Sequence, residues 1–285
     1  SLLEPKNNLI LSYMSYLKIH FGDFTSAING LNNLYNNNKT SPTERSNISY
    51  RLSRIYEDLG EYKNAIETLS GGELNVVQRP YLNSFLVILE IARLHLMIND
   101  KKSALKIIEK AKKEFSQPPV LHVFQIFAAK LFLLLGDIKQ TKECLTEGRK
   151  AVTKYGLSVF DHELNRIGGK LSELENDYKE AIKNYKEGIH ESPPWWPWGR
   201  GNLRSIGRCY RKLKKYDKSE EHLLDVLKED PFHPQTHYEL VRLYHDMKNS
   251  KKAKEHMKIA VDIWKDADPE YAMANKAKDF YQDWK

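Results

Sequence analysis

The 285-residue sequence predicts an all-α fold: a right-handed α-solenoid of about seven helix–turn–helix units, finished by one C-terminal capping helix. Three observations carry this expectation. A short turn pattern recurs seven times along the chain. An apolar stretch with helical spacing precedes each copy, and a second such stretch follows it.

The pattern is a small or polar residue, then Asp, Glu or Asn, then an aromatic or Lys, two further residues and Ala. "GDFTSA" at 22–27, "GEYKNA" at 60–65, "NDKKSA" at 99–104 and "NDYKEA" at 176–181 fit it; "GDIKQT" at 136–141, "KKYDKS" at 214–219 and "KNSKKA" at 248–253 are looser copies. Their starts are spaced by 38, 39, 37, 40, 38 and 34 residues.

Taken in order, the first unit (8–44) opens directly on "NNLILSYMSYL", with no polar cap before it. The second (46–83) places Leu52, Tyr56 and Leu59 before its turn and Ala65 and Leu69 after it. The third (85–120) and fourth (122–160) hold the longest apolar runs, "SFLVILEIARLHLMI" and "LHVFQIFAAKLFLLL". Glu90, Arg93 and Lys130 interrupt these runs at helical spacing, so they read as buried amphipathic helices, and no stretch approaches the length of a membrane span. The fifth unit (162–198) carries Ala181, Tyr185 and Gly188 after its turn, the sixth (200–233) Ile206, Tyr210 and Leu213 before it. The seventh (234–267) has Leu240, Tyr244 and Met247 before its turn and Ala253, Met257 and Ala260 after it. Extra residues in "NNLYNNNKTSPTERSN" and "GGELNVVQRPYLN" read as lengthened second helices and longer loops. From 269 to 285, Met273, Ala277, Phe280 and Trp284 repeat at three- and four-residue spacing behind Asp268 and Pro269, an N-cap and first-turn pair. A solenoid needs such a helix to cover its last apolar face.

These units resemble the tetratricopeptide repeat, whose signature spacing is about 34 residues. The best match is 200–233, with Ile206, Gly207 and Tyr210 in the first helix, Ser219, Leu223 and Val226 in the second and Pro231 closing the unit; 162–195 follows with Gly169, Tyr178, Ala181, Tyr185, Gly188 and Pro193. The resemblance covers almost the whole chain. The first tryptophan of the motif is never Trp here, and most periods are three to six residues longer. It implies a non-enzymatic scaffold or adaptor that binds a protein or peptide in a concave groove lined by the first helices. In the carboxylate-clamp members of the family, asparagines and basic residues hold a C-terminal carboxylate. Here Arg and Lys occupy the asparagine positions, so that ligand is not carried over.

Composition narrows the chemistry. A net charge of +7 favours anionic partners. Cys144 and Cys209, in unrelated helical segments, exclude a disulfide framework and a cysteine zinc site. No catalytic constellation stands out, no cofactor is implied, and "WGRGN" lacks the spacing of a phosphate loop. His233 and His237, four apart, have metal-ligand spacing without a third ligand, and read as a solvated helix start beside Pro234. Paired carboxylates such as Glu220 and Glu221 read as solvated surface.

The informative pattern is a column. Six residues before each turn start stand Arg54, Arg93, Lys130, Lys170, Arg208 and Arg242, with Tyr16 breaking the series in the first unit. Four residues earlier the same face gives Tyr50, Leu89, Ile126, Arg166, Arg204 and Tyr238. Such a face suits an acidic peptide or a free C-terminal carboxylate. Alternatively the cations pair with Glu57, Glu90, Glu173 or Glu239 of adjacent units. Single-stranded nucleic acid is disfavoured, because clustered Lys and Arg with regularly spaced stacking aromatics are missing. Two readings also stand for "PPWWPW" at 193–198: its rings cover an enlarged seam between units five and six, or Trp196 faces the groove beside Arg204 and Arg208.

The chain begins at Ser1 without Met. The second functional expectation is therefore the regulatory or sensor region of a larger bacterial signalling protein, joined to a cyclase, kinase or transcription-regulator domain. Two unpaired cysteines and no visible signal favour the cytoplasm; partner identity and oligomeric state stay open.

Overall fold

The protein is described by a computed structural model over residues 14, 17–71, 81–116, 120–190 and 199–282. Among these residues there are fourteen α-helices and no strand, and after a helical end at 17–20 they run as follows. The first three are α1 (Phe24–Tyr35), α2 (Pro42–Leu59) and α3 (Tyr62–Gly71). Then come α4 (Tyr81–Met97), α5 (Lys101–Glu114), α6 (Val120–Leu135) and α7 (Ile138–Tyr155). A 3-10 turn at Ser158–Phe160 leads into α8 (Asp161–Leu174), followed by α9 (Tyr178–His190), α10 (Gly199–Lys212) and α11 (Tyr216–Glu229). The chain ends in α12 (Pro234–Asp246), α13 (Ser250–Ile263) and α14 (Ala272–Gln282). Successive helices pack as antiparallel hairpins and the hairpins stack side by side, giving the expected α-solenoid. No described helix is long and apolar enough to cross a membrane.

All seven predicted turns share one backbone solution. The first residue of each copy (Gly22, Gly60, Asn99, Gly136, Asn176, Lys214 and Lys248) is left-handed, with φ between 57° and 80°. At each, that residue's N–H bonds to the carbonyl three back, and the next N–H to the carbonyl five back: Gly60 to Glu57 and Glu61 to Tyr56, or Lys248 to His245 and Asn249 to Tyr244. This satisfies the last carbonyls of the outgoing helix. The second residue then starts the incoming one: Asp23, Asp100, Asp137, Asp177 and Asn249 each accept from the backbone N–H three residues on. The sequence pattern is therefore a stop signal fused to a start signal.

Close approach within a hairpin needs a residue without a side chain. A Cβ on Gly207 of α10 would lie 2.7 Å from Leu223 Cγ of α11, so any larger residue there pushes the pair apart. The lengthening falls on α2 and α7, each of 18 residues; α2 is a first helix of its pair, α7 a second.

The ends of the solenoid meet. The turn between α2 and α3 is seated under the segment joining α13 to α14. The N–H of Asp268 bonds to Gly60 O at 3.0 Å, and the Asp268 carboxylate accepts from the N–H of Lys63 at 2.8 Å. Tyr62 and Tyr271 pack at 4.7 Å between ring centroids, and Lys63 Nζ meets Glu270 at 2.8 Å. One apolar cluster joins Tyr62, Ala65, Leu69 and Leu94 to Met257, Trp264, Tyr271, Ala274 and Ala277. One unit earlier on each side, His20 Nδ1 donates to Glu229 O at 3.2 Å and the Phe232 ring lies against Gly22.

Two local expectations are corrected. Asp268 is not the N-cap of the terminal helix: it caps α3, more than two hundred residues earlier in the chain, and α14 starts only at Ala272. The helix covers α13 as expected, through Ala274 and Ala277. His237 is not at a solvated helix start. His233 caps α12, accepting from the N–H of Thr236, while His237 is buried against His256. The Pro- and Trp-rich segment at 193–198, including Trp196, lies outside the described residues, as does Tyr16.

Candidate functional site

The column lies on the first helix of each unit: Tyr50 and Arg54 on α2, Arg93 on α4, Lys130 on α6, Arg166 and Lys170 on α8, Arg204 and Arg208 on α10, Tyr238 and Arg242 on α12. In the solenoid these helices are neighbours along one inner face, and the column becomes a set of rungs between units. Most rungs pair a cation with a carboxylate.

At the N-terminal end, Arg93 bonds Glu57 of the preceding unit and Glu90 of its own helix, the latter at 2.7 Å. Arg54 lies 3.0 Å from Glu57 and 3.6 Å from Glu90, and Lys130 lies 3.9 Å from Glu90. Burial alone would raise the Glu90 pKa, but Arg93, Lys130 and Arg54 together hold it well below the usual carboxylate range. Lys130 is brought down to about 8 by burial, against the pull of Glu90. In the middle, Arg166 chelates Glu163 through Nε at 2.7 Å and through Nη2. Glu163 is held at about 2, burial being outweighed by Arg166. Towards the C-terminal end, Arg208 bonds Glu173 through Nε and, at 2.7 Å, through Nη2, and lies 3.5 Å from Glu239. Arg242 lies 3.4 Å from Glu239, and a parallel rung joins Arg211 to Asp246 at 2.7 Å. All four carboxylates named as alternative partners in the sequence are in use. Glu163 and the Arg211–Asp246 rung were missed; the signal for the first was a carboxylate three residues before a column cation.

Lys170 and Arg204 differ. Neither has an ion pair or a hydrogen bond among the described residues, and Arg204 Nε is buried without an acceptor. Burial drives the Lys170 pKa well below the ordinary lysine value, and Arg166, Arg208, Lys130 and Arg204 push the same way. Arg204 is also lowered, by burial and by Arg208.

Exposure grades along the face. The Arg93 side chain is 7% exposed, while Arg54 and Arg242 are 38% and 40% exposed and Tyr50 is 37%. Since α12 touches α2 where the two ends meet, the most open part of the column is formed jointly by units two and seven. Tyr238 stands there too, its ring 6.1 Å from Trp264.

Among the described residues, no group of three or more His, Cys, Asp or Glu is placed to hold a metal ion. Burial raises the Cys144 thiol to about 11 and the Cys209 thiol to about 12, so both are protonated near neutral pH. Glu220, read as solvated surface, accepts from Tyr244 at 2.6 Å and from Lys252 at 2.8 Å.

Comparison with known proteins agrees with this architecture. Residues 46–70 and 205–233 match the tetratricopeptide repeat. No curated sequence matches the chain. Among solved structures, human IFIT1, a dimer with PPP-AAAA, is similar at TM-score 0.58 and 16% identity, covering 94% of this chain and 68% of that one. A tetratricopeptide repeat protein from Parabacteroides merdae is similar at 0.52 and 13%, covering 94% and 97%. The APC/C hetero-tetramer Cut9–Hcn1 is similar at 0.51 and 16%; 97% of this chain spans half the length of that one.

Proposed function

We propose that this chain, an array of tetratricopeptide repeats, is a binding scaffold or adaptor without enzymatic activity of its own, which takes an extended acidic segment of a partner protein along its inner face. One observation carries the reading. The inner face sets eight cations, from Arg54 to Arg242, against the five carboxylates Glu57, Glu90, Glu163, Glu173 and Glu239, so it keeps a positive excess after its internal pairs are made. The same five carboxylates disfavour a nucleic-acid backbone, whose phosphates would pass each of them in turn. A peptide with spaced acidic side chains, or a free C-terminal carboxylate, meets the cations without that repulsion. Similarity to a chain that assembles with Hcn1 supports a protein partner. In this reading the segment enters at the open end, where Tyr50, Arg54, Tyr238 and Arg242 would supply two aromatic rings and two exposed guanidinium groups.

The test is fluorescence anisotropy with panels of labelled ten-residue peptides that are acidic, neutral or basic. Acidic members should bind, and more weakly as salt rises, because charges are screened over about 8–10 Å at ordinary ionic strength. Arg204→Glu with Arg242→Glu should abolish binding at unchanged helical content, whereas Lys110→Glu on the exposed face of α5 should not. Equal binding of basic and acidic peptides, or binding indifferent to the double reversal, would remove the proposal.

A further inference from the structure

The rungs are spaced by helix geometry. Arg208 of α10 holds Glu173 of α8; Lys170 stands three residues before Glu173, and Arg204 four residues before Arg208. Both helices are first helices of successive units and run the same way. Lys170 and Arg204 are therefore the next rung, about one helical turn or ~5 Å along the face. Where other rungs set an acid against a base, this one sets base against base. It is flanked by Arg166, which chelates Glu163, and Arg208, which chelates Glu173; the charges that act most on Lys170 are all cations, and Arg204 is drawn by Glu239 and Asp58 but bonds neither.

We infer that Lys170 and Arg204 form a site for a single oxyanionic group, a carboxylate or a phosphoryl group, held between units five and six. The inference rests on the inner face being the binding surface, and it says where on that surface a ligand's anionic end is fixed. An ammonium and a guanidinium out of bulk water with unused donors are costly, and an oxyanion with several lone pairs satisfies both at once. The guanidinium offers a planar pair of N–H groups, and the ammonium a third donor from the neighbouring helix. An anion there offsets the repulsion from four surrounding cations and so favours the charged form of Lys170.

The experiment is thermal unfolding at matched ionic strength in sodium chloride, sodium phosphate and sodium acetate, for wild type, Lys170→Met, Lys170→Gln and Arg204→Met. Wild type should show a saturable rise in Tm with one oxyanion and none with chloride, since a ligand that binds only the folded state stabilises it. The anion acting at lower concentration identifies the group, phosphoryl or carboxylate. All three variants should lose at least nine-tenths of that rise. In chloride, Lys170→Met should be as stable as wild type or more so, because an uncompensated cation has been removed; a lysine with a purely structural pairing would give the opposite sign. A rise kept in the variants, a Lys170→Met protein clearly less stable in chloride, or no oxyanion effect in wild type overturns the site. If wild type shows no anion effect but acidic peptides still bind, this site fails and the binding face stands. If phosphate stabilises through Lys170 while no peptide binds, the site stands and the peptide reading fails.

Discussion

Trp264 and Asp58 are 206 residues apart in the chain, and the indole Nε1 of the first donates to the main-chain carbonyl of the second at 3.0 Å. The indole is fully buried, and the carbonyl belongs to the last turn of α2, where intrahelical donors run out. Trp264→Ala should cost ~3–5 kcal/mol through the cavity it leaves. Trp264→Phe keeps most of the packing but removes the bond to this carbonyl, costing about 0.5–1.5 kcal/mol. Small-angle scattering should show a larger radius of gyration for the alanine variant as the ends part. Unchanged dimensions and urea midpoints would mean that the contact does not hold the ends together.

Gly60 and Gly136 make a controlled pair. Both are left-handed turn glycines, at φ 79° and 80°, but a Cβ on Gly60 would lie 2.7 Å from Ala267 Cβ, whereas one on Gly136 meets nothing within 4 Å. Gly136→Ala should cost only the left-handed penalty, on the order of 1–2 kcal/mol. Gly60→Ala should cost clearly more, the excess being the displaced end-to-end contact. Equal losses in chemical denaturation would count against the seat described for Ala267.

The buried His237–His256 pair should make stability fall in mild acid. His237 Nε2 lies 2.8 Å from Pro231 O and must donate to it; in a neutral ring its Nδ1 then accepts from His256 Nδ1 at 2.8 Å. Burial lowers both pKa values, that of His256 to about 4, where His237 and Lys252 add to the depression and Glu220 opposes it. Folded values below the unfolded value of about 6.5 mean that the unfolded chain binds more protons between pH 4 and 6.5. The pair's contribution is therefore complete above pH 6.5 and is lost as pH falls towards 4. His256→Phe, which keeps a ring against Tyr244, should flatten urea midpoints over that window; a wild-type-like slope would place the pH response elsewhere.

Glu90 gathers three cations, Arg54, Arg93 and Lys130. Glu90→Gln keeps the shape and removes the charge, leaving buried cations under-compensated, and should cost ~3–5 kcal/mol. It also tests the contrast with the rung at Lys170, where removing a charge is expected to help. Loss of less than about 1 kcal/mol would show that the inner pairs are solvated rather than internal.

The turns were legible in the sequence because each is local: a left-handed residue and an N-cap stand side by side, so seven copies betray themselves by spacing. Lys214 and Lys248 were the hardest copies to see, since lysine pays to adopt the left-handed region that glycine enters freely. The column was legible for the same reason, and so were four of its carboxylate partners. Which cations would be left over was not, because that depends on the register between neighbouring units. The meeting of the ends was invisible: Gly60, Trp264 and Asp268 belong to no shared pattern, and Asp268 sits before a proline where a local cap is the natural reading. The buried histidine pair was hidden likewise, as His256 lies on the other helix of its hairpin.

An open row of repeats can be laid down unit by unit, each finding its neighbour as soon as it is made. Here the turn at Asp58–Lys63 has to wait. At ordinary rates of synthesis, the ribosome needs about 10–40 s to cover the 206 residues from Asp58 to Trp264. Throughout that interval Tyr62 and Leu69 lack the tryptophan and tyrosine that later enclose them. Nascent chains therefore carry an apolar doorway at the second hairpin, and the hand that shuts it is made only when the seventh hairpin leaves the exit tunnel.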